Sequence, residues 1–297
     1  MKLAEIRIGR YAFRTIAPAL RGGALVRLIA WLVAMLALLA GCASVPKPAH
    51  PFTSARDALT LYRLTRAEVI AMRAEARVDQ RGDEGRIKGT VLMFVMRPGR
   101  VRFDAMTQFG PAAILTSDGE RFAYSDLRKQ RFLTGETCPN NIARLLNVPM
   151  TVEQTTELLL GGTPVLSGSR AAIGWHPDGY YHVKLRTDAG QRQELDFGIG
   201  ERDRELPPER QALRLLRSEV FDASGKTVWR IQYDEYRPVA RGTYKVAMPF
   251  LVHVEQPSAG RDTLIRFKEI TLDPGIPVGA FEQTPRGGME IEEASCE

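Results

Sequence analysis

The sequence predicts an α+β fold that is mostly β: an antiparallel sheet accompanied by a few short helices. Three observations carry this expectation. Beyond residue 70 most of the chain runs in short stretches where apolar and polar residues alternate with period two. Turn sequences separate these stretches, among them Asp118-Gly119, Pro177-Asp178-Gly179 and Ser224-Gly225. The strands also follow one another directly, which suits antiparallel meanders rather than βαβ units.

The elements follow in order. Ser54 is placed to cap a helix reaching about Ile70, with Ala58, Leu61, Tyr62 and Val69 on one face. Met72, Ala74, Ala76 and Val78 then alternate with Arg73, Glu75, Arg77 and Asp79, the pattern of a half-buried strand. Gly89–Arg97 is apolar on both faces, and Val101, Phe103 and Ala105 alternate with Arg100, Arg102 and Asp104. Strands are expected at 112–116, 121–125 and 130–133. A helix beginning at Asn141 or a neighbour carries Ile142, Leu145 and Leu146 and is broken by Pro149. Thr151 with Gln154 has capping-box spacing and opens a second helix that runs through Leu158 and Leu160 to Gly161-Gly162. Later, Trp229, Ile231 and Tyr233 alternate with Arg230, Gln232 and Asp234. Residues 200–211 and the acidic tail (Glu290, Glu292, Glu293, Glu297) read as solvated segments.

The N-terminus is of another kind. Leu28 to Leu39 is apolar and uncharged but too short for a membrane-spanning helix, and Arg21 and Arg27 precede it, as in a secretory signal. Leu39-Ala40-Gly41-Cys42 resembles the lipobox of bacterial lipoprotein precursors. The expectation is a signal peptide over 1–41, a lipid-anchored tether over 42–53 rich in proline, and a domain over 54–297. An uncleaved anchor is the alternative. The resemblance implies a covalent diacylglycerol and an acyl chain such as palmitate on Cys42, with no other cofactor. Ala43 and Ser44 replace the Asp of an inner-membrane retention signal, which favours the periplasmic face of the outer membrane. A start at Val26 would give an ordinary signal, so residues 1–25 are expected to be a gene-start artefact.

Charge and cysteines follow from this division. Residues 1–41 hold six of the 41 Lys and Arg residues and one of the 35 acidic ones, which leaves the mature part 35 basic and 34 acidic residues. The sequence pI near 9.3 belongs mostly to the signal and is no argument for nucleic-acid binding. Cys138 and Cys296 remain, and in an oxidising compartment they suggest one disulfide between the tail and the middle of the domain; two free thiols are the alternative. Enzymatic chemistry has no visible seat. His50, His176, His182 and His253 are scattered, no metal is expected, and no Gly-x-Ser-x-Gly turn or complete dinucleotide loop occurs.

From Gly89 the residues resemble a known family. Gly89–Pro98, with its terminal Arg97-Pro98, followed by Val101-Arg102-Phe103, is similar to the strand–turn–strand of the LolA/LolB lipoprotein-localisation superfamily. Ile114–Gly119 with Phe122 and Tyr124 matches that family's next hairpin. Asn141–Gly162, Val220–Lys226, Tyr233–Tyr236 and Met248-Pro249 follow in family order, and the helical stretch looks more like the outer-membrane, LolB-like member.

The resemblance implies a curved antiparallel half-barrel whose concave side is capped by helices. It also implies a non-enzymatic function: binding lipid or lipoprotein acyl chains in an apolar cavity, for lipoprotein localisation or lipid transfer. Partners would be the bilayer and a periplasmic lipoprotein carrier. Arg97 would hydrogen-bond the lid shut. Val91, Met93, Val95, Val101, Phe103, Leu115, Trp229 and Ile231 would line the cavity, although on the residues alone filled core is the preferred reading of such a strand. Phe109, in the apolar loop Met106–Pro111, would touch the membrane or else fold back on the sheet. A structural or assembly scaffold without a lipid cavity is the alternative function.

Overall fold

The computed structural model describes Trp31 and residues 44–82 and 85–296. Cys42, the signal sequence and the suggested start near Val26 lie outside the described residues. Residues from Val45 onward form one unit. Among the described residues no helix is long and apolar enough to cross a membrane.

Fourteen strands join in one sheet, in the order β14-β6-β5-β4-β3-β2-β1-β13-β12-β11-β10-β9-β8-β7. The sheet is curved and open, and does not close into a barrel. Its first half is a meander: β1 (Ala71–Gly82), β2 (Gly85–Met96), β3 (Arg100–Thr107), β4 (Gly110–Ser117), β5 (Arg121–Asp126) and β6 (Arg131–Glu136). The second half is β7 (Arg170–His176), β8 (Tyr180–Arg186), β9 (Arg192–Gly198), β10 (Arg214–Phe221), β11 (Thr227–Arg241), β12 (Tyr244–Gln256) and β13 (Arg261–Leu272). β13 returns to pair antiparallel with β1, which joins the two meanders.

Period two is visible in the burial. Met72, Ala74, Ala76 and Val78 are buried, and on β2 Val91, Met93 and Val95 are buried while Leu92 is exposed. The strand that reads as two-faced apolar therefore has a core face and an outer face.

Three helices cover the core face: α1 (Ala55–Ala67), α2 (Pro139–Leu146) and α3 (Val152–Leu159). Ser54 caps α1 by accepting from the Asp57 amide at 3.3 Å. Thr151 and Gln154 form the capping box of α3. Ala58, Leu59 and Tyr62 of α1, Ile142 and Leu146 of α2, and Leu158 and Leu159 of α3 join the buried sheet residues in one core.

Three segments differ from the sequence reading. Residues 45–53 are no free spacer: the Val45 amide donates to Pro177 O (2.7 Å), Trp175 Nε1 to Val45 O (3.2 Å), the Ala49 amide to Arg204 O (2.9 Å), and Phe52 is buried. Apolar Val45, Pro48 and Phe52 give this proline-rich stretch something to bury, which its composition concealed. Residues 200–211 form two 3₁₀ turns, and Gln211 is buried where it donates to His50 O and Leu206 O. The acidic tail is partly a strand: β14 (Glu290–Glu293) pairs in parallel with β6, and Arg131 forms an ion pair with Glu292. A disulfide joins Cys296, just beyond this strand, to Cys138, the residue preceding α2.

Candidate functional site

The region of interest lies between the sheet and the helices. Val91, Met93, Val95, Val101, Phe103, Leu115 and Ile231 are all buried there, and Trp229 is half-buried against them. Side chains from α1–α3 occupy the space they face, so these residues belong to a filled core. A hollow of about 1040 Å³ lies elsewhere, between the start of α1 and β7.

Besides the apolar core that they share with the sheet, the helices are tied down by polar contacts. Arg97, at the end of β2, donates from Nε to Val69 O at 2.9 Å and from Nη2 to Arg66 O at 3.3 Å, and forms an ion pair with Glu157 of α3. It therefore grips the C-terminal end of α1 and the flank of α3 together. Burial pushes the Arg97 pKa down, with the neighbouring Arg66 charge acting in the same direction and Tyr62 opposing both.

Tyrosines tie down the end of α3. Tyr62 Oη donates to Gly161 O (2.8 Å), and Tyr233 Oη donates to Gly162 O (2.5 Å) and Leu158 O (3.2 Å). Nearby, Tyr236 Oη donates to Leu215 O at 2.6 Å. Burial raises the pKa of all three phenols, so each stays a neutral donor at physiological pH. The turn they hold needs glycine: Gly161 has φ +79°, and a Cβ there would meet Pro249 and Arg66.

Arg66 is the group the sequence reading missed. It is buried although charged, and its polar contacts are 3.2 Å to Ala247 O and 3.8 Å to Met248 Sδ. A signal was present: four residues after Tyr62, it falls on the face that buries Ala58, Leu59 and Tyr62.

Phe109 stands apart from this centre. It sits at the tip of the β3–β4 turn with 91 % of its surface exposed, and Thr107 bridges the turn by donating to Gly110 O (2.8 Å) and accepting from the Phe109 amide (3.2 Å). It is not folded back on the sheet. A shallow hollow beside it is lined by Pro111, Leu127 and Arg128.

A curved antiparallel sheet with helices across its concave face is a LolA/LolB-like fold. Among solved structures the chain is similar to a DUF1329 family protein from Desulfovibrio piger (10 % identity, TM-score 0.52, covering 78 % of this chain and 98 % of that one). It is also similar to a LolA superfamily protein from Nitrosomonas europaea (10 % identity, TM-score 0.48, 78 % and 98 % covered). A third is a domain from Vibrio parahaemolyticus named for outer membrane lipoprotein sorting (9 % identity, TM-score 0.48, 77 % and 97 % covered). At such identities the likeness is one of fold alone. No protein-family model and no curated protein matches the sequence.

Proposed function

We propose that this chain is a lipoprotein anchored in the outer membrane through Cys42, which takes lipid or lipoprotein acyl chains between its sheet and its helices for lipoprotein localisation or lipid transfer. One observation carries this reading: a continuous apolar face is closed by helices, and the polar ties on α3 and the turn after it come from Arg97, Tyr62 and Tyr233.

The magnitudes favour opening in exchange for a guest. An acyl chain entering the gap takes over the apolar contacts that sheet and helix give up, so the main cost is the polar latch. Hydrogen bonds to charged groups are worth about 1.5–3 kcal/mol each. Burial of a methylene contributes roughly 0.8 kcal/mol, so a palmitoyl chain yields on the order of 10 kcal/mol gross, enough to offset the latch. Met93 and Met248 on the core face supply adaptable packing for chains of varied shape. The exposed Phe109 would meet the bilayer surface during transfer.

The test is uptake of an apolar fluorescent probe by residues 43–297, which contain every described element from Val45 onward. Fluorescence should rise on binding and fall as palmitate displaces the probe. A domain that stays dark, and whose stability palmitate leaves unchanged, contradicts the proposal and leaves a filled-core scaffold.

A further inference from the structure

We propose that Arg66, with the hydroxyls of Tyr62 and Tyr233, forms a concealed anion site that receives the carboxylate or phosphate of an anionic amphiphile when the end of α3 lifts. The inference rests on the acyl-chain reading and names the class of guest: an acidic head on an apolar tail, in preference to a neutral one.

Arg66 is only 6 % exposed, yet no carboxylate forms an ion pair with it among the described residues. Its Nε is buried without an acceptor. The acceptors it does reach are a carbonyl and a thioether, at 3.2 and 3.8 Å. A buried cation lacking a counter-charge costs several kcal/mol, and the lost hydrogen bond at Nε adds to that. Stability alone would be served as well by an apolar side chain of similar length, so the charge needs another explanation.

Its surroundings supply one. Arg97 also approaches from the end of β2, and its pKa is lowered in part by Arg66, so two cations share this corner. The carboxylate that pairs with Arg97, Glu157, lies on α3, the element that has to move. The acceptors now occupied by Tyr62 and Tyr233 are the carbonyls of Leu158, Gly161 and Gly162, at the end of α3 and the turn after it. Lifting that segment removes a carboxylate and three carbonyls in one motion. Behind it remain two guanidinium groups and two phenol hydroxyls that can donate, against the carbonyls of Ala247, Val69 and Arg66 as acceptors. Carboxylate and phosphate oxygens match such a set, and the fork of Arg66 suits two of them at once. The buried apolar side chains of Met248 and Phe250 on β12, which stays in place, belong to the same core and offer the tail a place.

The experiment compares palmitate, hexadecyl phosphate and hexadecanol as displacers of an apolar probe from residues 43–297 at mildly alkaline pH, in wild type and in Arg66→Met. Wild type should bind the better of the two anionic ligands about tenfold or more tightly than the alcohol, the factor that one charge-assisted hydrogen bond carries. The ranking of the two anions tells carboxylate from phosphate. Arg66→Met should bind all three with similar affinity while its thermal midpoint stays level or rises, because a buried unpaired charge has been removed. Tyr233→Phe, which deletes one hydroxyl, should cut the preference by a few fold and serves if the Met variant does not fold. Equal binding of acid and alcohol by wild type overturns the anion site and leaves the acyl-chain reading standing. A preference that survives in both variants also overturns it. Failure of all three ligands to displace or bind removes both readings.

Discussion

Arg66 and Arg97 lie side by side, but among the described residues only Arg97 of the two has a carboxylate partner, and their substitutions should separate accordingly. Arg97→Leu removes two hydrogen bonds and the pairing with Glu157. It should fold, lose about 2–3 kcal/mol in urea unfolding, and show faster hydrogen exchange at Leu158–Gly162; unchanged exchange there would remove Arg97 from the latch. On the outer face, Glu219 behaves differently. Burial pushes its carboxyl up, but donors from Arg230 (2.7 Å) and Thr227 (2.8 Å) outweigh that and hold it below the usual carboxylate range, with Arg217 adding to them. A depressed folded-state pKa means stability that is complete above the ordinary carboxylate range and lost as pH falls through the folded value. Urea midpoints should therefore separate wild type from Glu219→Gln near neutral pH and converge in acid. A constant difference across pH would contradict the assignment. At this scale the sequence spoke unevenly. Arg97 stands out through its resemblance to a family motif, but Arg66 does not, because an arginine in a helical stripe ordinarily reaches solvent.

At the scale of elements, α1, α3 and the first strands were legible because each has local chemistry: Ser54 as a cap, the Thr151/Gln154 box, and period-two alternation from Met72. The edge strand β14 was not. Its Glu-Ile-Glu-Glu sequence becomes a strand only through a partner 159 residues earlier, with Ile291 paired opposite Phe132, and through the ion pair of Glu292 with Arg131. The disulfide across a separation of 158 residues reinforces that pairing. In the chain-entropy account a loop of this size is worth about 5 kcal/mol. The double variant Cys138→Ser/Cys296→Ser should thus lower the unfolding free energy by several kcal/mol, with amide protection lost first at Glu290–Glu293; retained protection would show that β14 holds without its tie. The β3–β4 turn offers the opposite case. Phe109 packs on nothing, so Phe109→Ser should leave stability within about 0.5 kcal/mol of wild type while weakening co-sedimentation with phospholipid vesicles. Unchanged co-sedimentation would remove the loop from membrane contact.

For the whole molecule, antiparallel pairing from β3 through to β8 fixes which turns share a rim. Phe109 lies on the rim opposite the β7–β8 turn, where Val45 docks. The N-terminal segment and the exposed aromatic thus mark opposite ends of the strands, a relation no local pattern in the sequence contains. The sheet's curvature and the covering of its concave face by α1–α3 were implied by family resemblance; the filled state of the space beneath them was not, since periodicity records which face is apolar and not what fills it. The proposed function requires that this space can admit a guest. Native mass spectrometry of residues 43–297 after incubation with palmitate and with phospholipid tests this most directly. Discrete one-to-one adducts of lipid mass are expected, and more of them in Arg97→Leu, where the hydrogen bonds to Val69 and Arg66 no longer oppose entry; a spectrum of bare protein under every condition would show that the space admits no guest.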